Sequence, residues 1–111
     1  MEKYDYIICG GGASGLLLAN AFIKDELFND KKILIIERES KTLNDKTFSF
    51  WDNQSNVLDR IVFKSWEKAE FKDSEFSSSF NLSPYKYKMV RSDRFYSYMR
   101  KKIDRASNLI I

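Results

Sequence analysis

Gly10, Gly12 and Gly15 stand in the pattern G-x-G-x-x-G, as Gly10-Gly11-Gly12-Ala13-Ser14-Gly15, directly after the apolar run Tyr6-Ile7-Ile8-Cys9. Residues of these types at this spacing hold phosphate rather than break bonds. Gly10 permits a tight turn out of a strand, Gly12 leaves room for a pyrophosphate to approach the backbone, and Gly15 lets a helix pack closely on a sheet. A helix opening near Ala13 would aim free N–H groups and the positive end of its dipole at the phosphates. At about the 20-residue distance such a fingerprint requires, Glu37 ends a second apolar run, KILIIE. Its carboxylate is suited to accept hydrogen bonds from ribose hydroxyls and would repel a 2′-phosphate, which disfavours NADP. The chemistry expected of residues 10–15 and 37 is therefore capture of the ADP half of a dinucleotide, read here as FAD. Arg38 either flanks the adenine or faces solvent.

The elements that must position these residues are a strand over Tyr4–Cys9, a helix from Ala13 to about Asp25, and a strand over Lys32–Glu37. Both strands are nearly continuous apolar runs, as in a parallel sheet covered on both faces. The expected fold class is α/β, a Rossmann-like FAD/NAD(P)-binding βαβ unit with additional antiparallel strands. The stretch 40–55 is polar and aromatic and reads as irregular. Val57, Leu58, Ile61 and Val62 have helical spacing, and residues 66–71 and 75–82 read as an antiparallel pair. From Tyr85 to Arg91 the pattern alternates, with Tyr85, Tyr87, Met89 and Arg91 on one side and Lys86, Lys88 and Val90 on the other. Ser92 is the expected N-cap of a helix running to about Arg105, with Phe95, Met99 and Ile103 on its inner face. Asn108–Ile111 reads as the opening of another buried strand, so residues 1–111 are expected to be the N-terminal part of a longer FAD-binding domain, incomplete at its C-terminus.

Composition narrows the function classes. Charged residues at 32% and the lack of a long apolar run argue against a membrane span. Glu2 and Asp5 occupy the place of a basic signal-peptide n-region, which gives a cytoplasmic expectation. Histidine is absent, so Ser-His-Asp and Cys-His catalysis are excluded and a zinc site is disfavoured. The single cysteine, Cys9, forms no intrachain disulfide and is expected as a buried packing thiol. A net charge of +3 without a reader motif argues for no nucleic-acid partner.

A more specific likeness lies at 44–51, NDKTFSFW. This segment resembles the N-D-R-T-W-x-F-W stretch of bacterial lycopene β-cyclases, with Lys46 in place of Arg and Phe48 in place of Trp. DYIICGGGASGLLLA and YKYKMVRSDRFYSYM resemble that family in type and order. The resemblance implies an isomerase of carotenoid biosynthesis, peripheral at the inner membrane, that closes β-rings on the ψ-ends of lycopene. Cyclisation would be acid-initiated and non-redox, with reduced FAD stabilising a carbocation and NAD(P)H as the reductant. The family's acidic motif lies beyond Ile111, so no catalytic residue is assigned here, and the 111-residue chain is expected to be inactive alone. In related flavoproteins an arginine placed like Arg91 contacts the flavin side of FAD; the other reading is an ordinary surface cation. The cluster Phe48, Phe50 and Trp51 either lines a polyene or flavin pocket or forms core. A flavin monooxygenase or a geranylgeranyl reductase shares the same opening, and a non-catalytic nucleotide-binding fragment is the alternative of another class.

Overall fold

A computed structural model describes residues 1–111. Backbone contacts divide them into two units, one of residues 1–42 with 96–111 and one of residues 43–95. In the first unit, β1 (Tyr6–Cys9) and β2 (Ile33–Ile36) are joined through α1 (Ala13–Lys24). They pair in parallel, Tyr6 against Ile33 through Cys9 against Ile36. The short β8 (Leu109–Ile110) pairs with β2 on its other side, also in parallel, so the order is β1-β2-β8. This is a mixed α/β structure with a parallel sheet.

The sheet is covered on one face only. Ile8, Ile33, Ile35 and Leu109 share the buried face, and Leu16 and Ala19 of α1 are buried as well. Full burial of Ile33 and Ile35 is worth about 2–3 kcal/mol each. On the opposite face Ile7, Ile36 and Ile110 stay exposed. The expectation of strands buried on both faces is thereby corrected. Cys9 belongs to that open face and is exposed, so it is not the buried packing thiol that its apolar neighbours suggested. Tyr6, Phe22 and Phe28 close the far end of α1 over β1, with ring centroids 4.8–5.8 Å apart. Asn108 donates to the carbonyls of Phe28 and Lys31 at 2.9 Å, which ties the return loop to the start of β8.

The second unit contains β3 (Thr47–Asp52), β4 (Val62–Trp66) and β7 (Lys86–Arg91), an antiparallel sheet of order β3-β7-β4. It also contains the hairpin of β5 (Lys68–Lys72) with β6 (Ser77–Asn81), in the place expected for an antiparallel pair. Two expectations fail here. Residues 47–52 are a regular strand rather than an irregular stretch, and residues 57–62 hold only a single 3-10 turn at Asp59–Ile61 before β4 begins. Helix α2 (Ser92–Arg105) follows β7 directly. Phe95, Met99 and Ile103 are each at most 2% exposed, the inner face that their i, i+4 spacing requires.

Candidate functional site

The glycine turn gives each of its glycines a separate physical task. Gly10 has φ +112, a conformation open to glycine, and its N–H donates to the Ile36 carbonyl at 2.8 Å. A Cβ on Gly15 would collide with the Gly10 carbonyl oxygen and lie 3.2 Å from the Ile8 side chain, so α1 closes on the turn at this point. Around Gly12 there is nothing within 4 Å of where a Cβ would stand. Gly12 is the N-cap of α1 and offers no side-chain cap, and the first turn of the helix carries no acid. The opening N–H groups at Ala13, Ser14 and Gly15 thus have no carboxylate competing for the positive end of the helix.

Gly11, to which the fingerprint assigns no task, turns out to hold the acid. Glu37 Oε2 accepts from the Gly11 N–H at 2.6 Å, and a Cβ on Gly11 would lie only 2.9 Å from the Glu37 Cβ. The N–H of Gly11, then that of Glu39 at 3.3 Å to Oε1, keep the Glu37 carboxyl below its ordinary pKa. The Lys41 charge adds to this against partial burial. Glu37 is therefore an ionised acceptor at neutral pH, fastened by one oxygen to the glycine turn.

A groove runs on from this pair, lined by Gly11, Glu37, Lys41, Tyr96, Arg100 and Ile111. Lys41 enters it from a left-handed backbone at φ 55, rare for a residue with a side chain. Its ammonium lies 3.5 Å from Glu39 and 5.6 Å from the centre of the Tyr96 ring. Burial pulls its pKa down, but the charges of Glu37 and Glu39 outweigh this and raise it. Arg38 is absent from the groove lining: its side chain is 90% exposed and its nearest carboxylate, Glu39, is at 3.9 Å. Arg91 belongs to the other unit, where it lies over the Phe63 ring at 5.3 Å and 3.9 Å from Asp93. Of the residues expected to bind cofactor, the structure gathers Gly10 to Gly15 into one turn with Glu37 bonded to it, while Arg38 lies outside the groove that Lys41 lines.

In the second unit the segment 44–51 does two jobs. Its polar half wraps the start of α2: the Ser92 Oγ accepts from the Lys46 N–H at 3.0 Å and lies 3.2 Å from Asp45 Oδ1, while the Ser92 N–H donates to the Lys46 carbonyl. Ser92, fully buried, thus anchors this loop with the hydroxyl that was expected to cap its own helix. The aromatic half is β3, where Phe48 packs edge-on against Phe95 with centroids 5.2 Å apart. Trp51 points to the opposite face of the sheet, so the aromatic cluster is divided rather than single.

Behind β3 lies a charge triad. Lys88 Nζ donates to Asp59 at 2.7 Å, to Asp52 at 3.1 Å and to the Gln54 carbonyl at 3.3 Å, using all three of its protons. It borders a polar cleft of about 390 Å³. The Lys88 hydrogen bond lowers the pKa of Asp59. Burial resists ionisation of Asp52, yet its bonds from Lys88, the Gln54 N–H and Asn56 still lower its pKa. Asp59, against burial and with help from Asp52, raises that of Lys88. The two aspartates contribute above their ordinary pKa near 3.9 and lose that contribution as pH falls through their lowered folded values. Lys88 contributes below about 10.4 and loses its share as pH rises through its raised value. The stability supplied by the triad should therefore be flat from pH 5 to 9 in denaturant titrations, and a slope there would contradict these ion pairs. The alternation of residues 85–91 put Lys88 and Val90 on one side; that this is the buried side, and which groups Lys88 meets there, came only from the structure.

The class defined by this fold and turn is an α/β protein with a glycine-rich strand–turn–helix and an acid at the end of the second strand. A family profile described as lycopene cyclase protein matches residues 5–109, and the chain belongs to that family. Membership supports a role in carotenoid cyclisation. A search of curated proteins finds no match. No helix is long and apolar enough to cross a membrane.

Proposed function

We propose that this chain supplies the FAD-binding part of a lycopene β-cyclase, with the glycine turn and Glu37 holding the ADP half of the cofactor. The observation that carries the reading is the bond between the Glu37 carboxylate and the Gly11 N–H. That bond sets the acid expected to hold ribose against the turn expected to hold pyrophosphate. The order β8-β2-β1 is also that of one half of a doubly wound dinucleotide fold, which takes its ligand at the carboxyl ends of such strands. The residues present fit the cofactor: an open approach at Gly12, uncontested helix N–H groups, and an ionised acceptor at Glu37.

In this reading the N–H groups around Gly12 and Ala13 bind the pyrophosphate, and Glu37 accepts from the ribose hydroxyls while excluding a 2′-phosphate. Lys41, Tyr96 and Arg100 border the adenosine end. When bound, the flavin in its reduced form supplies negative charge next to a cation developing on the substrate, with NAD(P)H as its reductant. The substrate is lycopene, taken from a membrane to which the enzyme is peripheral on the cytoplasmic side. The family match favours this reading over a monooxygenase or a reductase.

Calorimetry with ADP tests the nucleotide half. The parent chain should bind ADP, and Glu37→Ala should bind it on the order of 10–100-fold more weakly, the range of a charge-assisted hydrogen bond. Equal affinity in a folded variant would remove Glu37 from the site. Carotenoid extracted from a lycopene-accumulating host tests the other half. Cyclised product is expected from a chain extended beyond Ile111 and not from residues 1–111 alone; unchanged lycopene with the longer, flavin-loaded chain would overturn the cyclase reading.

A further inference from the structure

The two faces of the β3-β7-β4 sheet differ in chemistry. Phe48, Val90 and Val62 share one face, with Val90 fully buried. On the other face, pairing across the three strands sets Trp51, Tyr87 and Trp66 in a single row. The Trp51 and Tyr87 rings are 4.7 Å apart at 39°, and the Tyr87 and Trp66 rings 6.0 Å apart at 36°. Met89 lies in the adjoining row between Ser49 and Lys64. Cross-strand aromatic pairs do stabilise sheets, but that role does not require Trp51 to remain 57% exposed.

Two cations stand near the row, each over a ring. Lys64 stands 5.3 Å over Trp66, and Arg91 stands over Phe63. Trp51 is exposed, and the half-buried Tyr87 and Trp66 continue its polarisable π surface across the strands. Such a surface suits a flat, uncharged, conjugated ligand, which gains dispersion and offset-stacking contacts from several rings at once. Resting on the carotenoid reading given by family membership, we propose that the Trp51–Tyr87–Trp66 row is the platform on which a linear conjugated polyene lies.

Trp51 and Trp66 are the only tryptophans in the chain, so tryptophan emission reports this row alone. The whole chain in detergent micelles is titrated with lycopene, and in parallel with squalane as a saturated hydrocarbon control. Co-elution of lycopene absorbance with the protein is read separately. Expected are saturable quenching by lycopene, no saturable change with squalane, and a loss of lycopene affinity of at least about threefold in both Tyr87→Ala and the more exposed Trp51→Thr. Phe71→Thr, an exposed aromatic on the β5–β6 hairpin outside the row, should bind as the parent does. If lycopene co-elutes but the row variants keep the parent affinity, the platform is wrong while the carotenoid reading stands. Equal losses in Phe71→Thr, or an equal response to squalane, would reduce the row to non-specific apolar surface. Absence of any lycopene binding would overturn the platform together with the reading on which it rests.

Discussion

Gly12→Val should abolish ADP binding, by at least roughly 100-fold, while leaving the unfolding midpoint close to that of the parent. The backbone at Gly12, φ −79 and ψ −167, is ordinary extended chain, and no atom stands within 4 Å of the new Cβ. The Cβ of a valine therefore meets open space in the folded protein, and on the proposed reading its side chain takes the space a pyrophosphate would need. Loss of even one charge-assisted hydrogen bond, about 3 kcal/mol at the upper end, accounts for a factor of that size. Gly15→Ala is the opposite case. Its methyl meets the Gly10 carbonyl, a backbone atom that cannot swing aside as a side chain would, so the turn itself must open. Overpacking of this kind costs about 1–3 kcal/mol or more, and the variant should lose stability whether or not ligand is present. Calorimetry and urea unfolding on the two variants separate the roles. A stable Gly15→Ala, or a Gly12→Val that binds ADP normally, would contradict the assignment.

Lys88→Ala should lower stability by about 2 kcal/mol, or roughly 10 °C in Tm for a domain of this size. The lysine and Asp52 side chains are 10% and 12% exposed, so its removal leaves one carboxylate buried with no cation and a second, at 36% exposure, facing it. A fully buried pair loses about 3–5 kcal/mol when one partner is removed; the exposure of Asp59 reduces the expected figure. The variant should also loosen the loop from Asp52 to Asp59, since the Gln54 carbonyl loses its donor as well. Urea unfolding followed by tryptophan emission measures the change, and a shift below about 0.5 kcal/mol would place the triad among ordinary surface pairs.

The parts of the chain that the sequence by itself determined are those whose partners lie close by or whose pattern has one period. Tyr6–Cys9, the glycine turn, α1 and Ile33–Ile36 follow from two apolar runs and three glycines. The 85–91 alternation defines a strand and its two sides, and the i, i+4 spacing of Phe95, Met99 and Ile103 defines a helix and its buried face. Glu37 was legible as the acid that ends the second strand because its place is set by distance along the chain. Tertiary structure decided the rest. Residues 47–52 are a strand because they pair with β7, distant in sequence; the pattern there is obscured because Phe48 and Phe50 take one face while Trp51 takes the other. The helical spacing of Val57 to Val62 yields only the 3-10 turn at Asp59–Ile61, because from Val62 onward the chain pairs with β7. Lys41, the bond from the Gly11 N–H to Glu37 and the partners of Lys88 were invisible because each depends on which backbone lies opposite, and no local period encodes that. Cys9 and Ile7 are exposed for a related reason: strand composition shows that a residue can be buried, and only the packed elements determine whether a given face is covered.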